Sequence, residues 1–191
     1  MKIKKVKLIR SGCLEVVYFD GEGNEVSKKG VNQVHPDLKR AMKRLIPFFC
    51  ELTEQKESID IDWYDMESEK NADLLNRLDV SGVTISGEDG FKCVVLTGRR
   101  TLSVVNKVMN INTPCISLDE EEREYGRVDD LNEVVDAVLE EAKLYVKERK
   151  YGVTQLEMNF EANADDPFGG EGDAGESEPL EGEKPLNEEA E

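Results

Sequence analysis

The chain has 191 residues, a mass of 21.5 kDa and 38% apolar residues, enough to bury one core of ordinary size. Its formal charge of −17 is unevenly placed: residues 157–191 hold 13 acids and one lysine, which leaves −5 for the first 156. No window reaches the length of a membrane span, and Met1-Lys2-Ile3-Lys4-Lys5 leads into no apolar run of signal length. A soluble, cytoplasmic protein with a near-neutral body and an acidic appendix is expected.

Lys2 to Ile9 alternates charged and apolar residues, the period-2 pattern of a strand with one wet face. Its lysines fit either a nucleic-acid-facing stripe or the protection of a sheet edge. Cys13 to Asp20 reads as a second strand, and the turn at Asp20-Gly-Glu-Gly-Asn24 leads to a short third near Val26. His35-Pro36-Asp37 opens a helix, with His35 as a capping or packing residue. Leu38, Met42, Leu45, Phe49 and Leu52 form its apolar stripe, and the helix is expected to bend or break near Pro47. The opposite face carries Lys39, Arg40, Lys43 and Arg44, the best candidates for phosphate contact.

Ser58 to Tyr64 alternates Ile59, Ile61 and Trp63 with Asp60 and Asp62, which predicts a strand with an acidic outer face. Asp60, Asp62 and Asp65 are three carboxylates with no partner motif, so no metal site is assigned and no cofactor is expected. A short helix follows from Met66 to Leu78. Val80 to Thr101 reads as a hairpin turning at Gly87-Glu-Asp-Gly90, closed by Gly98-Arg99-Arg100. The adjacent Arg99 and Arg100 can receive a phosphate, but no Walker-type Gly-x-x-x-x-Gly-Lys accompanies them. Leu102 to Ile111 is predicted as one strand, and Asn112-Thr-Pro114 turns into Cys115 to Leu118.

The last helix should start at Asp129 or Asp130, where Asp130 and Glu133 have capping-box spacing, and stop at Gly152. Its stripe runs through Leu131, Val135, Val138, Ala142 and Tyr145. The four cysteines, Cys13, Cys50, Cys93 and Cys115, are far apart among apolar neighbours. They read as reduced core thiols, favouring a reducing compartment. The fold class expected is α+β: a mainly antiparallel sheet of six to eight strands, two longer helices and a short one. The predicted divisions are an α+β domain over 1–152, a docking peptide or final strand over 153–160, and a disordered acidic tail over 161–191.

Gln155-Leu156-Glu157-Met158-Asn159-Phe160 resembles the bacterial sliding-clamp-binding motif, Gln-x-x-(Leu or Met)-x-Phe, in Gln155, Met158 and Phe160. The resemblance implies a glutamine amide in one polar niche, with Leu156, Met158 and Phe160 supplying apolar anchorage on a sliding-clamp partner. The same alternation also fits a final strand of the chain's own sheet. Asp165-Asp166-Pro167-Phe168 resembles the acidic tip of bacterial single-stranded-DNA-binding proteins, although 23 residues follow it here. The body, with Val34-His35-Pro36-Asp37-Leu38 and Asn112-Thr-Pro114, resembles small uncharacterised phage and prophage proteins.

No nucleophile-base pair, metal cluster or phosphate loop emerges, so no catalytic residue is assigned and an enzyme is not expected. The leading expectation is a non-enzymatic accessory protein of phage or bacterial DNA metabolism docked on the sliding clamp. The alternatives are a single-stranded nucleic-acid-binding protein with an autoinhibitory acidic tail and a self-associating, homo-oligomeric module.

Overall fold

The structure is a computed structural model that describes residues 1–9, 12–56, 60–65, 68–87, 92–118 and 124–152. Its strands are β1 (Lys2–Leu8), β2 (Cys13–Phe19), β3 (Glu25–Gln33), β4 (Leu78–Ser86), β5 (Cys93–Leu102), β6 (Lys107–Asn112) and β7 (Ile116–Ser117). Its helices are α1 (Pro36–Lys43), α2 (Ile46–Leu52), α3 (Glu69–Arg77) and α4 (Val128–Lys147). The α+β class and the antiparallel sheet are as the sequence predicts. All pairings are antiparallel, in the order β3-β2-β1-β4-β5-β6, with β7 on β5.

One apolar row runs across the sheet because register aligns it: Val16 pairs with Val6, Val6 with Val83, and Val83 with Leu96. All four are buried, and helices cover this face, with α4 on β1 and α1 and α2 on β4. Phe49 of α2 lies so close to β5 that a Cβ at Gly98 would come within 2.6 Å of its ring, so only glycine fits there. Tyr145 of α4 claims Gly30 in the same way and donates its hydroxyl to the carbonyl of Asn32 at 2.7 Å.

The break in the first helix follows from one missing N–H. Pro47 cannot bond the carbonyl of Lys43, and its ring clashes with that carbonyl, so α1 ends at Lys43 and α2 restarts with Pro47 in its first turn. His35 caps α1 as expected, its Nδ1 accepting the Asp37 N–H at 3.3 Å.

Several expectations are corrected. Residues 60–65 form no strand, because the Asp62 carboxylate accepts the N–H groups of Tyr64 and Asp65 and closes a turn instead. Leu102 to Ile111 is two strands: residues 103–106 turn the chain, with Asn106 at φ 49°, a left-handed conformation that asparagine tolerates. The third strand spans nine residues rather than a few around Val26, held by pairing to β2 although its own sequence barely alternates. Helix α4 starts at Val128 with Arg127 at the N-cap and no side-chain cap bond, so the Asp130–Glu133 capping box does not form. Its end falls at Lys147, five residues before Gly152.

Cys93 and Cys115 are disulfide-bonded, while Cys13 and Cys50 are buried thiols outside any disulfide. The β5–β7 pairing brings the bonded pair to a Cα separation of 5.8 Å, within disulfide reach. The cysteines therefore carry no argument for a reducing compartment. Among the described residues, no helix is long and apolar enough to cross a membrane. Gln155, Leu156, Met158 and Phe160, with the rest of 153–191, lie outside the described residues.

Candidate nucleic-acid interface

Asn71, fully buried in the first turns of α3, shapes the loop before it. Its side-chain oxygen accepts the Asp62 N–H at 3.0 Å, and its amide nitrogen donates to the carbonyls of Asp62 at 2.7 Å and Asp65 at 3.2 Å. These bonds fix the backbone on both sides of Trp63 and Tyr64. The turn's N–H groups, that of Asp65 foremost, hold the Asp62 carboxyl below its ordinary pKa and keep it charged as an acceptor.

Trp63 packs half-buried on Phe48, with ring centroids 5.1 Å apart, and the Arg127 guanidinium lies 4.1 Å above its ring. Tyr64 is wholly exposed, at 104%. The two aromatics line a cleft of about 550 Å³ with Arg40, Lys43 and Arg44. Arg127 joins Arg44, Trp63 and Tyr64 in an adjoining cleft of about 440 Å³.

A third cleft, of about 380 Å³, lies beside α1 where Lys39, Lys43 and Arg99 meet over Val34 and Val80. Lys43 lines both this cleft and the aromatic one, so the two adjoin along the helix. Five of the six basic residues singled out in the sequence, Lys39, Arg40, Lys43, Arg44 and Arg99, thus gather on one surface. Arg100 does not: its guanidinium donates to Gln55 in a separate small cleft near Cys50.

Several of these cations already have acidic neighbours. Arg40 lies 3.2 Å from Asp37, Arg44 3.4 Å from Glu133 and Arg127 3.3 Å from Asp130, while Arg99 pairs with Asp79. Exposed pairs like these are worth about 0–1 kcal/mol, so a phosphate can replace the carboxylate at little cost. Sequence reasoning missed Trp63, Tyr64 and Arg127 as site residues. The adjacent Trp-Tyr pair was the available signal, hidden by its place in an apparent strand.

Among the described residues, His35, Asp37 and Glu141 converge closely enough for a metal ion. The Lys150 ammonium fills that position, 2.9 Å from Asp37 and 2.8 Å from Glu141. Its hydrogen bond lowers the Asp37 pKa, and donating to Glu141 and then to Asp37 raises its own. The cluster ties the start of α1 to α4 and needs no metal for charge balance. Asp60 and Asp65 contribute to no such convergence among the described residues.

No protein-family model matches the chain, and no match was found among curated proteins or solved structures.

Proposed function

We propose that this is a non-enzymatic protein that binds single-stranded nucleic acid along α1, with bases stacking at Tyr64 and Trp63 and phosphates on Lys43, Lys39 and Arg99. The exposed Tyr64 ring beside Arg40, Lys43 and Arg44 carries this reading, because one aromatic face among cations accepts any base. The aromatics total only 6% of the chain, but a stacking surface needs placement rather than number. The acidic segment 157–191 competes with nucleic acid for the same cations, so removing residues 161–191 tightens binding.

The test is fluorescence anisotropy with a labelled single-stranded oligonucleotide at low salt. Tyr64→Ala is expected to weaken binding about tenfold, since each stacked base is worth about 1–3 kcal/mol. No binding by the wild-type chain or its truncated form, or an unchanged affinity in Tyr64→Ala, would overturn the proposal.

A second reading, compatible with the first, is clamp docking through Gln155, Met158 and Phe160 in a phage or bacterial setting. It is favoured by the fit of Gln155, Met158 and Phe160 to the three specified positions of that motif. Gln155→Ala with Phe160→Ala should abolish binding to a purified bacterial sliding clamp; equal affinity in the double variant excludes it.

A further inference from the structure

Among the described residues the sheet has two open edges, and only one is defended. At β3, Lys28 and Lys29 sit mid-strand, the register shifts opposite Cys13 and Glu15, and Tyr151 bridges to Val34 beyond the strand's end. Charge, irregularity and cover are the usual ways of keeping an edge from pairing. At β6 none of them interrupts the strand: Lys107 stands at its first position, and Val108 to Asn112 carry no charge, proline or register shift.

Four of the six large hydrophobic side chains exposed among the described residues collect at the same place, the others being Val31 of β3 and Tyr64. Val104, Val105, Val108 and Met109 are 97%, 55%, 59% and 41% exposed, and all belong to the β5–β6 arm. Such a concentration marks a contact surface more often than chance scatter does.

We propose that β6 pairs with β6 of a second copy, joining two sheets across a twofold axis. The symmetry restricts the register. In an antiparallel twofold pair, residues facing each other must lie on the same face of the sheet, so the axis passes through a residue rather than between two. Centred on Asn110, the pairing sets Met109 against Ile111 of the other copy twice, and Val108 against Asn112 twice. The two Asn110 side chains meet on the axis and can hydrogen-bond each other, while the Lys107 ammoniums lie at opposite ends. No like charges face each other, and two apolar pairs form on the helix-bearing side. A second copy fits this edge because the strand is complementary to its own antiparallel image.

Five paired residues a side make a contact smaller than a standard interface, so weak association is expected, with dissociation on the order of 10–100 μM. Sedimentation velocity of the full chain, from about 2 to about 300 μM to bracket that range, should show a shift from 21.5 kDa toward twice that mass. Asn110→Lys places two ammoniums on the axis and should weaken the dimer at least tenfold, with circular dichroism reporting that the exposed substitution leaves the fold intact. Asn110→Cys should cross-link to itself under mild oxidation, because facing Cα atoms in such a pair are about 4.5–5.5 Å apart. A wild-type chain that stays monomeric, an Asn110→Lys dimer of unchanged affinity, or failure of Asn110→Cys to cross-link would each overturn the proposal. Tyr64→Ala should dimerise normally, so the outcome is independent of nucleic-acid binding.

Discussion

The two clefts beside α1 share Lys43 but are built differently. The aromatic cleft depends on a loop whose shape comes from one buried side chain, Asn71, bonded to backbone at Asp62 and Asp65. The cationic cleft stands on regular elements: Lys39 and Lys43 are one helical turn apart on α1, and Arg99 is held by β5 opposite Asp79 of β4. A side-chain-shaped loop can fail as a unit, whereas sheet register fails only with the fold. The same surface therefore pairs a fragile half with a robust one, and substitutions can separate them.

The largest expected effect is that of Asn71→Ala. Losing the template removes three hydrogen bonds to the partly exposed backbone at Asp62 and Asp65, a cost of about 1.5–4.5 kcal/mol at about 0.5–1.5 kcal/mol per bond. Chemical denaturation should show that loss, and oligonucleotide affinity should fall at least as far as in Tyr64→Ala. The salt dependence should stay unchanged, because the cationic cleft survives. A stability within about 0.5 kcal/mol of wild type would mean the loop holds its shape without Asn71.

Next in size are the lysines, which invert the pattern. Lys39→Ala or Lys43→Ala should weaken binding a few-fold and reduce the slope of log affinity against log salt by about 0.7 each, the value for one single-strand phosphate contact. Stability should not change. An unaltered slope in both variants would remove the cationic cleft from the interface.

The smallest effect concerns the Lys150 cluster at the other end of α1. Asp37 has a lowered pKa, so its contribution to stability is present above 3.8 and is lost as pH falls through its lower folded value. Lys150 has a raised pKa, so its contribution is present below 10.5 and is lost as pH rises through its higher folded value. Lys150→Met should flatten both limbs of the stability profile while leaving neutral-pH binding intact. Identical acid limbs in variant and wild type would show that Asp37 gains nothing from the ammonium.

What could be read from the sequence was what repeats locally. The strands β1 and β2, the β4–β5 hairpin and the long stripe of α4 each announce themselves by period, and Pro47 marks the helix break through its own chemistry. Strand β3 did not, because an edge strand largely exposed on both faces has no reason to alternate, and pairing with β2 alone makes it a strand. The Asp60–Trp63 alternation misled because an aspartate can satisfy backbone N–H groups as well as face water. At the interface, Lys39 and Lys43 were visible as cations on one helix. Their meeting with Arg99 was not, since it requires β5 to return beside α1 from some 60 residues away.

The bridge from Tyr151 to Val34, reinforced by the Gly152 N–H donating to the Gln33 carbonyl at 2.9 Å, fastens the last described residues to the end of β3. Val34 also lines the cationic cleft, so the chain from α4 returns to brace the wall of that cleft, and loosening residues 151–152 would loosen the wall with them.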